Sequence, residues 1–342
     1  MKDNRFVSLL EQWVSKRVAV LGDFILDEYL IGDTKRVSRE APIAVIDYRE
    51  SAYHPGGAAN ATQNVASMGA ACHAVGLVGN DTHGGILVEL LQSRGVDTSG
   101  LIAHPDIATA VKTRILAGEL HAQKQQVARI DRSYSVGSDD ATLGKLTDAV
   151  VDTVDTCDAV LISDYGMGVV PGAVSRRVID RCRTRRVPVV VDSRRHLLSY
   201  QGATVATPNE VELFDALETP AADAPGVAQL AAKAVAAAGL EGLIITRGSR
   251  GMFVYDADGS TEHVGIVGTR DVTDVTGAGD TVSATVSLAL TCGATLAEAA
   301  EMATYAASVV VMKRGTATIT PDELLAVREK HPSPVAVEME NG

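Results

Sequence analysis

Arg17-Val18-Ala19-Val20-Leu21-Gly22 is a short, nearly continuous apolar run that stops at a glycine and an acidic residue, Asp23. A strand covered by helices on both faces has no side to show to water, so its sequence does not alternate between apolar and polar. Five further runs have the same character: Cys72–Val78, Asp158–Ile162, Val187–Asp192, Thr204–Thr207 and Gly242–Thr246. Between them lie stretches with helical spacing of apolar residues: Ala58–Met68, Gly85–Ser93, Asp139–Val154, Gly172–Arg183, Glu210–Leu217 and Val227–Ala238. This alternation predicts parallel βαβ units, and so an α/β fold with a doubly wound, mostly parallel sheet. Two short strands (Met252–Tyr255, Glu262–Val264), two long helices (Gly279–Leu290, Leu296–Met312) and a helix from Pro321 complete the pattern.

Two segments break the rhythm. Residues 29–53 and 109–132 alternate in the manner of strands and hold no helix. They read as a small antiparallel β appendage inserted in two pieces, a lid over a cleft or a dimer contact. Two irregular surface hairpins are the plainer reading of the same residues. The expected organisation is a single domain over residues 1–330 carrying this lid, followed by a frayed tail over 331–342.

With 342 residues, 46% hydrophobic and 22% charged, the chain is sized and composed as an enzyme with a sizeable core. A net charge of −12 argues against a nucleic-acid or anionic-membrane partner, though not against a small anion met by local donors. Cys72, Cys157, Cys182 and Cys292 are scattered, with no C-x-x-C, and the histidines form no metal-binding pattern. Residues 1–13 lack a signal-peptide apolar run, and no segment reaches the ~20 apolar residues of a membrane span. A soluble, cytoplasmic protein is expected.

Four strand-end motifs carry chemistry. Asp274-Val275-Thr276-Gly277-Ala278-Gly279-Asp280 runs directly into an apolar-periodic helix. At a helix N-terminus the N–H groups of Gly277, Ala278 and Gly279 can converge on an anion. Asp280 would repel that anion unless it serves as the base for an attacking hydroxyl. A Gly-rich turn with an acidic helix cap is the bland alternative. Pro55-Gly56-Gly57-Ala58-Ala59-Asn60 opens another helix, with Asn60 as a hydrogen-bonding handle or simply part of a cap. Asp23 and Asp27 follow the first strand, where carboxylates could bind sugar hydroxyls or cap a loop. Asn209 and Glu212, three apart on one helical turn, suit phosphate and hydrated Mg²⁺, or a capping box.

In this order, Gly22-Asp23, Gly56-Gly57-Ala58-Ala59-Asn60, Asn209-x-x-Glu212, Thr246-Arg247-Gly248 and Asp274 to Asp280, the chain resembles the ribokinase-like (phosphofructokinase-B) sugar kinases from about Arg17 to Val327. Within them it is most similar to the heptose-7-phosphate kinases, through Val37-Ser38-Arg39-Glu40-Ala41-Pro42, Gln125 to Asp131, Ser163-Asp164-Tyr165 and Gly315-Thr316-Ala317-Thr318. The resemblance implies ATP-dependent phosphorylation of a sugar or sugar phosphate, with heptose 7-phosphate as acceptor. It implies Asp280 as base and Gly277, Ala278 and Gly279 as anion hole. Asn209 and Glu212 would serve ATP phosphate and Mg²⁺, with Thr246, Arg247 and Gly248 near the nucleotide. Asp23, Asp27, Gly56, Gly57 and Asn60 would grip the sugar, and Lys112 and Arg129 its phosphate. Asp274 and Thr276 match part of a monovalent-cation (K⁺) site, and the exposed lid implies a homodimer.

Three features depart from these relatives. Met167 stands where they usually carry Lys, Arg194 where they carry another Lys, and Gly118–Lys124 is a longer lid segment. Arg is not a neutral replacement for Lys. A kinase for ribose, fructose or a nucleoside is therefore the alternative, and a non-catalytic sensor would need a damaged base or anion hole. A dinucleotide oxidoreductase needs G-x-G-x-x-G after an early strand, whereas this strand ends Gly22-Asp23-Phe24-Ile25. At 342 residues the chain is expected to lack the nucleotidyltransferase domain of bifunctional relatives.

Overall fold

The computed structural model describes residues 1–119, 124–137, 141–170, 172–219, 226–268 and 272–335. In chain order the elements of the first half are α1 (Asp3–Gln12), β1 (Arg17–Gly22), β2 (Phe24–Val37), β3 (Ala44–Gly57), α2 (Ala58–Ser67), β4 (Ala71–Gly79), α3 (Thr82–Gln92), β5 (Asp97–His104), β6 (Ala110–Gly118), β7 (Gln125–Arg132) and α4 (Ala141–Val154). Then follow β8 (Ala159–Asp164), α5 (Ala173–Arg185), β9 (Val189–Ser193), β10 (Val205–Ala206), α6 (Glu210–Ala216), α7 (Val227–Ala238), β11 (Gly242–Thr246), β12 (Met252–Asp256), β13 (Thr261–Val264), α8 (Ala278–Thr291), α9 (Leu296–Val310) and α10 (Pro321–Lys330).

The large sheet has the order β13-β12-β11-β10-β9-β8-β1-β4-β5. It is parallel from β5 to β11, and β12 and β13 close it in antiparallel fashion. Side chains of β1 alternate between two cores: Val18 and Val20 belong to the one that includes Phe6, Val65 and Val282, while Ala19 and Leu21 belong to the one that includes Leu146, Val178 and Val235. Full burial of each large apolar side chain contributes about 1.5–3 kcal/mol. The chain leaves β1 for β4 and β5 on one side, then returns to β8 on the other. The order thus reverses between β1 and β8, and a crevice opens beyond their carboxyl ends. Gly22 allows that close approach, since a Cβ there would lie 2.1 Å from the Ser163 carbonyl oxygen.

The second sheet, β3-β2-β6-β7, rises from this edge. Its flanking pairs are antiparallel as expected, but β2 and β6 pair in parallel from Ile25–Ala110 to Asp33–Gly118. The expected lid is thus two hairpins laid side by side, both setting out from the cleft in the same direction. Its first hairpin has no connecting loop at either base. β2 begins directly after Asp23, β3 runs straight into α2, and the Ala58 N–H donates to the Asp23 carbonyl at 3.1 Å.

Helix α1 and edge strand β5 are absent from the sequence reading. The apolar spacing of Phe6, Leu9 and Leu10 forms the buried face of α1. The tail expected to fray is tied as far as Val335, whose N–H donates to the Ile266 carbonyl at 2.8 Å. Part of the long segment expected at Gly118–Lys124, the start of the helix expected from Asp139, and residues 336–342 lie outside the described residues. Among the described residues no helix is long and apolar enough to cross a membrane.

Candidate active site

The turn from Asp274 to Asp280 lies at the crevice. Asp274 orders it, accepting the Thr276 N–H on Oδ1 and the Gly315 N–H on Oδ2, both at 2.9 Å. Gly277 caps α8 with φ 79°, where only glycine is comfortable, and a Cβ there would sit 2.4 Å from Asn60 Nδ2. Of the three amides expected to face an anion, that of Ala278 closes a turn onto the Val275 carbonyl at 3.2 Å. The N–H groups of Gly277 and Gly279 have no acceptor among the described residues, and both glycines line the cleft.

Asp280 is buried in the first turn of α8. Its Oδ2 accepts from Asn60 Nδ2 at 2.7 Å and its Oδ1 from the Tyr165 hydroxyl at 2.8 Å. The Asn60 amide is oriented in turn by Gln63, whose Nε2 donates to Asn60 Oδ1 at 2.7 Å. Burial pushes the Asp280 carboxyl up to about 6, while these hydrogen bonds and the charges of Arg194 and Lys112 hold it from rising further. The group is therefore ionised at neutral pH and a better base than an exposed aspartate.

The other expected residues divide into those at the cleft and those behind it. Asp27, Gly57, Lys112, Arg129, Asn209, Glu212, Thr246 and Thr276 line it. Asp27 is paired with Arg114 at 2.7 Å, and Arg129 with Asp131 at 2.8 Å. Asn209 and Glu212 form a reciprocal capping box on α6, so the structural reading holds there while both residues also face the cleft. Burial raises the Glu212 carboxyl, and it lowers the Lys112 ammonium together with Arg194.

Asp23, Asn60 and Gly56 sit behind the cleft wall. Asp23 Oδ2 holds the N–H groups of Tyr165 and Met167, at 2.7 and 3.2 Å. Burial, then neighbouring Asp164, push its carboxyl up to about 7. Asn60 backs Asp280, and Gly56 makes room for Asp27, whose Oδ2 would lie 2.8 Å from a Cβ. Arg247 turns away to Glu210 at 2.8 Å.

Sequence reasoning gave no role to Arg114, Arg132, Tyr165, Asp192 or Arg195, which also line the cleft. Arg114 could have been found, since it lies two residues from Lys112 on the same face of β6. Asp192, at the end of β9, is pushed well above the usual carboxylate range by burial, with Asp280 and Glu212 adding to it. Met167 is buried against Ile25 and Ala110, and Arg194 lies over the Tyr165 ring.

The cleft holds about 650 Å³. Beside it lies a hollow of about 310 Å³ with a mainly apolar wall that includes Val267, Val272, Val282, Ala307 and Val311. Thr246, Val275 and Gly279 border both. A flat apolar group in the hollow would thus place attached charged groups beside the α8 N-terminus.

Residues 15–323 match the pattern of the pfkB family of carbohydrate kinases. The chain is 37% identical to the bifunctional protein HldE of Trichlorobacter lovleyi over 320 residues, covering 93% of this chain and 64% of that one. It is also 37% identical to the HldE of Geobacter metallireducens over 311 residues, covering 90% and 61%. It therefore spans a little under two thirds of the length of these relatives. Among solved structures, Arabidopsis thaliana ribokinase complexed with ribose and ATP superposes with TM-score 0.70 at 20% identity, covering 91% of this chain and 98% of that one. Escherichia coli phosphofructokinase-2 in complex with potassium gives 0.74 at 18% identity, covering 92% and 99%. These two likenesses establish the fold.

Proposed function

Because the chain belongs to the pfkB family of carbohydrate kinases, we propose that its cleft transfers the γ-phosphoryl group of ATP to the anomeric hydroxyl of heptose 7-phosphate, giving heptose 1,7-bisphosphate. The observation that carries this reading is Asp280: a buried carboxylate, ionised near neutrality, beside free amides at a helix N-terminus and between a polar and an apolar hollow.

In this reading the purine of ATP lies in the apolar hollow and its phosphates pass Thr246 and Gly279. The acceptor hydroxyl hydrogen-bonds to Asp280, which takes its proton as the oxygen attacks the γ-phosphorus in line. The bond from that phosphorus to the β–γ bridging oxygen breaks, and ADP leaves. Charge on the transferring oxygens is met by the Gly277 and Gly279 amides, the positive end of α8, and Arg194. Asp192 and Glu212 fit a hydrated Mg²⁺: both carboxyls are raised by burial, and a divalent charge would relieve their mutual repulsion. Such an ion supplies charge neutralisation to the nucleotide phosphates. For a monovalent cation, Asp274 and Thr276 remain the residues proposed.

A phosphorylated acceptor is supported by the cations. Asp27 and Asp131 match Arg114 and Arg129, while Lys112, Arg132, Arg194 and Arg195 also line the cleft. A homodimer through the lid is supported by exposed Tyr48, Val127 and Ile130 on the small sheet. ADP release against a panel of free and phosphorylated sugars, with the product position read by NMR, tests the acceptor. Turnover of heptose 7-phosphate with phosphorylation at the anomeric carbon is expected. Turnover of ribose, fructose or a nucleoside, with none of heptose 7-phosphate, would refute it.

A further inference from the structure

Tyr165 stands where three parts of the cleft meet. Its hydroxyl donates to Asp280 Oδ1 at 2.8 Å. Lys112 Nζ, from the lid, lies 4.6 Å from its ring centroid, and Arg194 Cζ, from beyond β9, lies 4.1 Å from it. Its backbone is pinned as firmly. The N–H groups of Tyr165 and Met167 bond Asp23 Oδ2 at 2.7 and 3.2 Å, and that of Gly166 bonds Asp164 Oδ1 at 2.8 Å. Two buried carboxylates thus hold three successive amides of this turn. A tyrosine needed only for packing would require neither the pinned backbone nor an acceptor for its hydroxyl at the base.

We infer that Tyr165 is a positioning residue for Asp280, fixing one carboxylate oxygen and favouring the ionised form that accepts the substrate proton. The inference rests on the reading of Asp280 as the base of a kinase. With Asn60 on Oδ2 and Tyr165 on Oδ1, the carboxylate is held at both oxygens, and each keeps a further lone pair for another donor. Rotation of the carboxylate is thereby blocked, so the proton is received at a fixed place.

The groups facing Asp280 are few. Helix α2 presents the neutral Asn60, the turn after β8 presents Tyr165, β6 presents Lys112, and the end of β9 presents Asp192 and Arg194. Burial lifts the Tyr165 hydroxyl well above its ordinary value, so it stays a donor across the working range and does not compete for the proton. Two cations against its ring draw electron density from the phenol and strengthen that donation.

Tyr165→Phe removes the hydroxyl and keeps the ring between its cations. A charge-assisted hydrogen bond to the ionised form is lost, so the acid limb of the kcat–pH profile should move up by about one unit. At pH 6, kcat should fall about 5-fold and largely recover by pH 8, with KM for ATP within about 2-fold. In the unliganded protein, the ¹³C carboxyl titration of Asp280, assigned by its loss in Asp280→Asn, should move upward in step. Site-specific 3-fluorotyrosine at position 165, a stronger donor of similar size, should move both midpoints to lower pH.

Wild-type midpoints in both variants would overturn the inference, whatever happens to kcat. A kinase whose midpoints do not move leaves the function standing and removes this role. Midpoints that move, in a protein that phosphorylates no sugar, leave the interaction standing and remove the kinase reading. Circular dichroism confirms that each variant is folded before its titration is read.

Discussion

The turn that carries Asp280 and the small sheet expected to serve as its lid are built on different terms. In the turn, Asp274, Asn60 and Tyr165 each hold a defined partner, and Gly277 leaves no room for a methyl group. In the lid, every residue of β7 is exposed, and pairs such as Lys35–Asp47 and Arg129–Asp131 lie open to solvent and screening. Tolerance differs accordingly: the surroundings of Asp280 are fixed from several directions, and the small sheet is tied near its root by buried pairs such as Asp27–Arg114 and Glu28–Thr113, while its outer strand β7 is held mainly by its ladder to β6.

The largest expected effect is on the fixed side. Asp280→Asn should lower kcat by about 10³-fold, within the range for loss of a general base, while leaving the fold intact. Near-normal turnover, read by coupled ADP release, would end its assignment. In the wild type, burial makes the neutral acid the easier form, so activity should fall as pH drops through about 6. An acid limb near 4, where an exposed aspartate titrates, would show that the base is another group.

Gly277→Ala sharpens the contrast at one methyl group. It combines positive φ with a contact at 2.4 Å, so about 1–3 kcal/mol of stability should be lost, visible as a Tm several degrees lower. An unchanged Tm would mean that the turn yields as easily as the lid. The smallest effect on folding belongs to the lid. Ile130→Asp, at a side chain 51% exposed, should change folding stability by no more than about 0.5 kcal/mol. It should shift sedimentation from dimer to monomer, whereas a wild-type protein already monomeric would remove the lid as an interface.

The same division governs what could be read from residues alone. β1, β4, β8, β9 and β11 were legible because burial on both faces leaves unbroken apolar runs, and α8 because Gly277, Ala278 and Gly279 precede a periodic helix. The parallel pairing of β2 with β6 was not, since nothing in either strand names its partner. Asn60 was expected to grip the sugar, but the packing of α2 against α8 turns it toward Asp280. Asp27 and Arg114 are 87 residues apart, and Tyr165 and Asp280 are 115 apart. Each residue was visible in the sequence. The partner that gives it a role comes from the fold, through the β2–β6 pairing for Asp27 and through the strand ends and helix that meet at the crevice for Tyr165.

The missing loop at the base of the first hairpin has a geometric consequence. β2 and β3 each run 14 residues, about 45 Å of extended chain. One root is Asp23, which holds the Tyr165 turn, and the other is Gly57, which leads to Asn60. With no loop at either root, the two ends of the hairpin lead directly to the two supports of the Asp280 carboxylate, Tyr165 through Asp23 and Asn60 through Gly57.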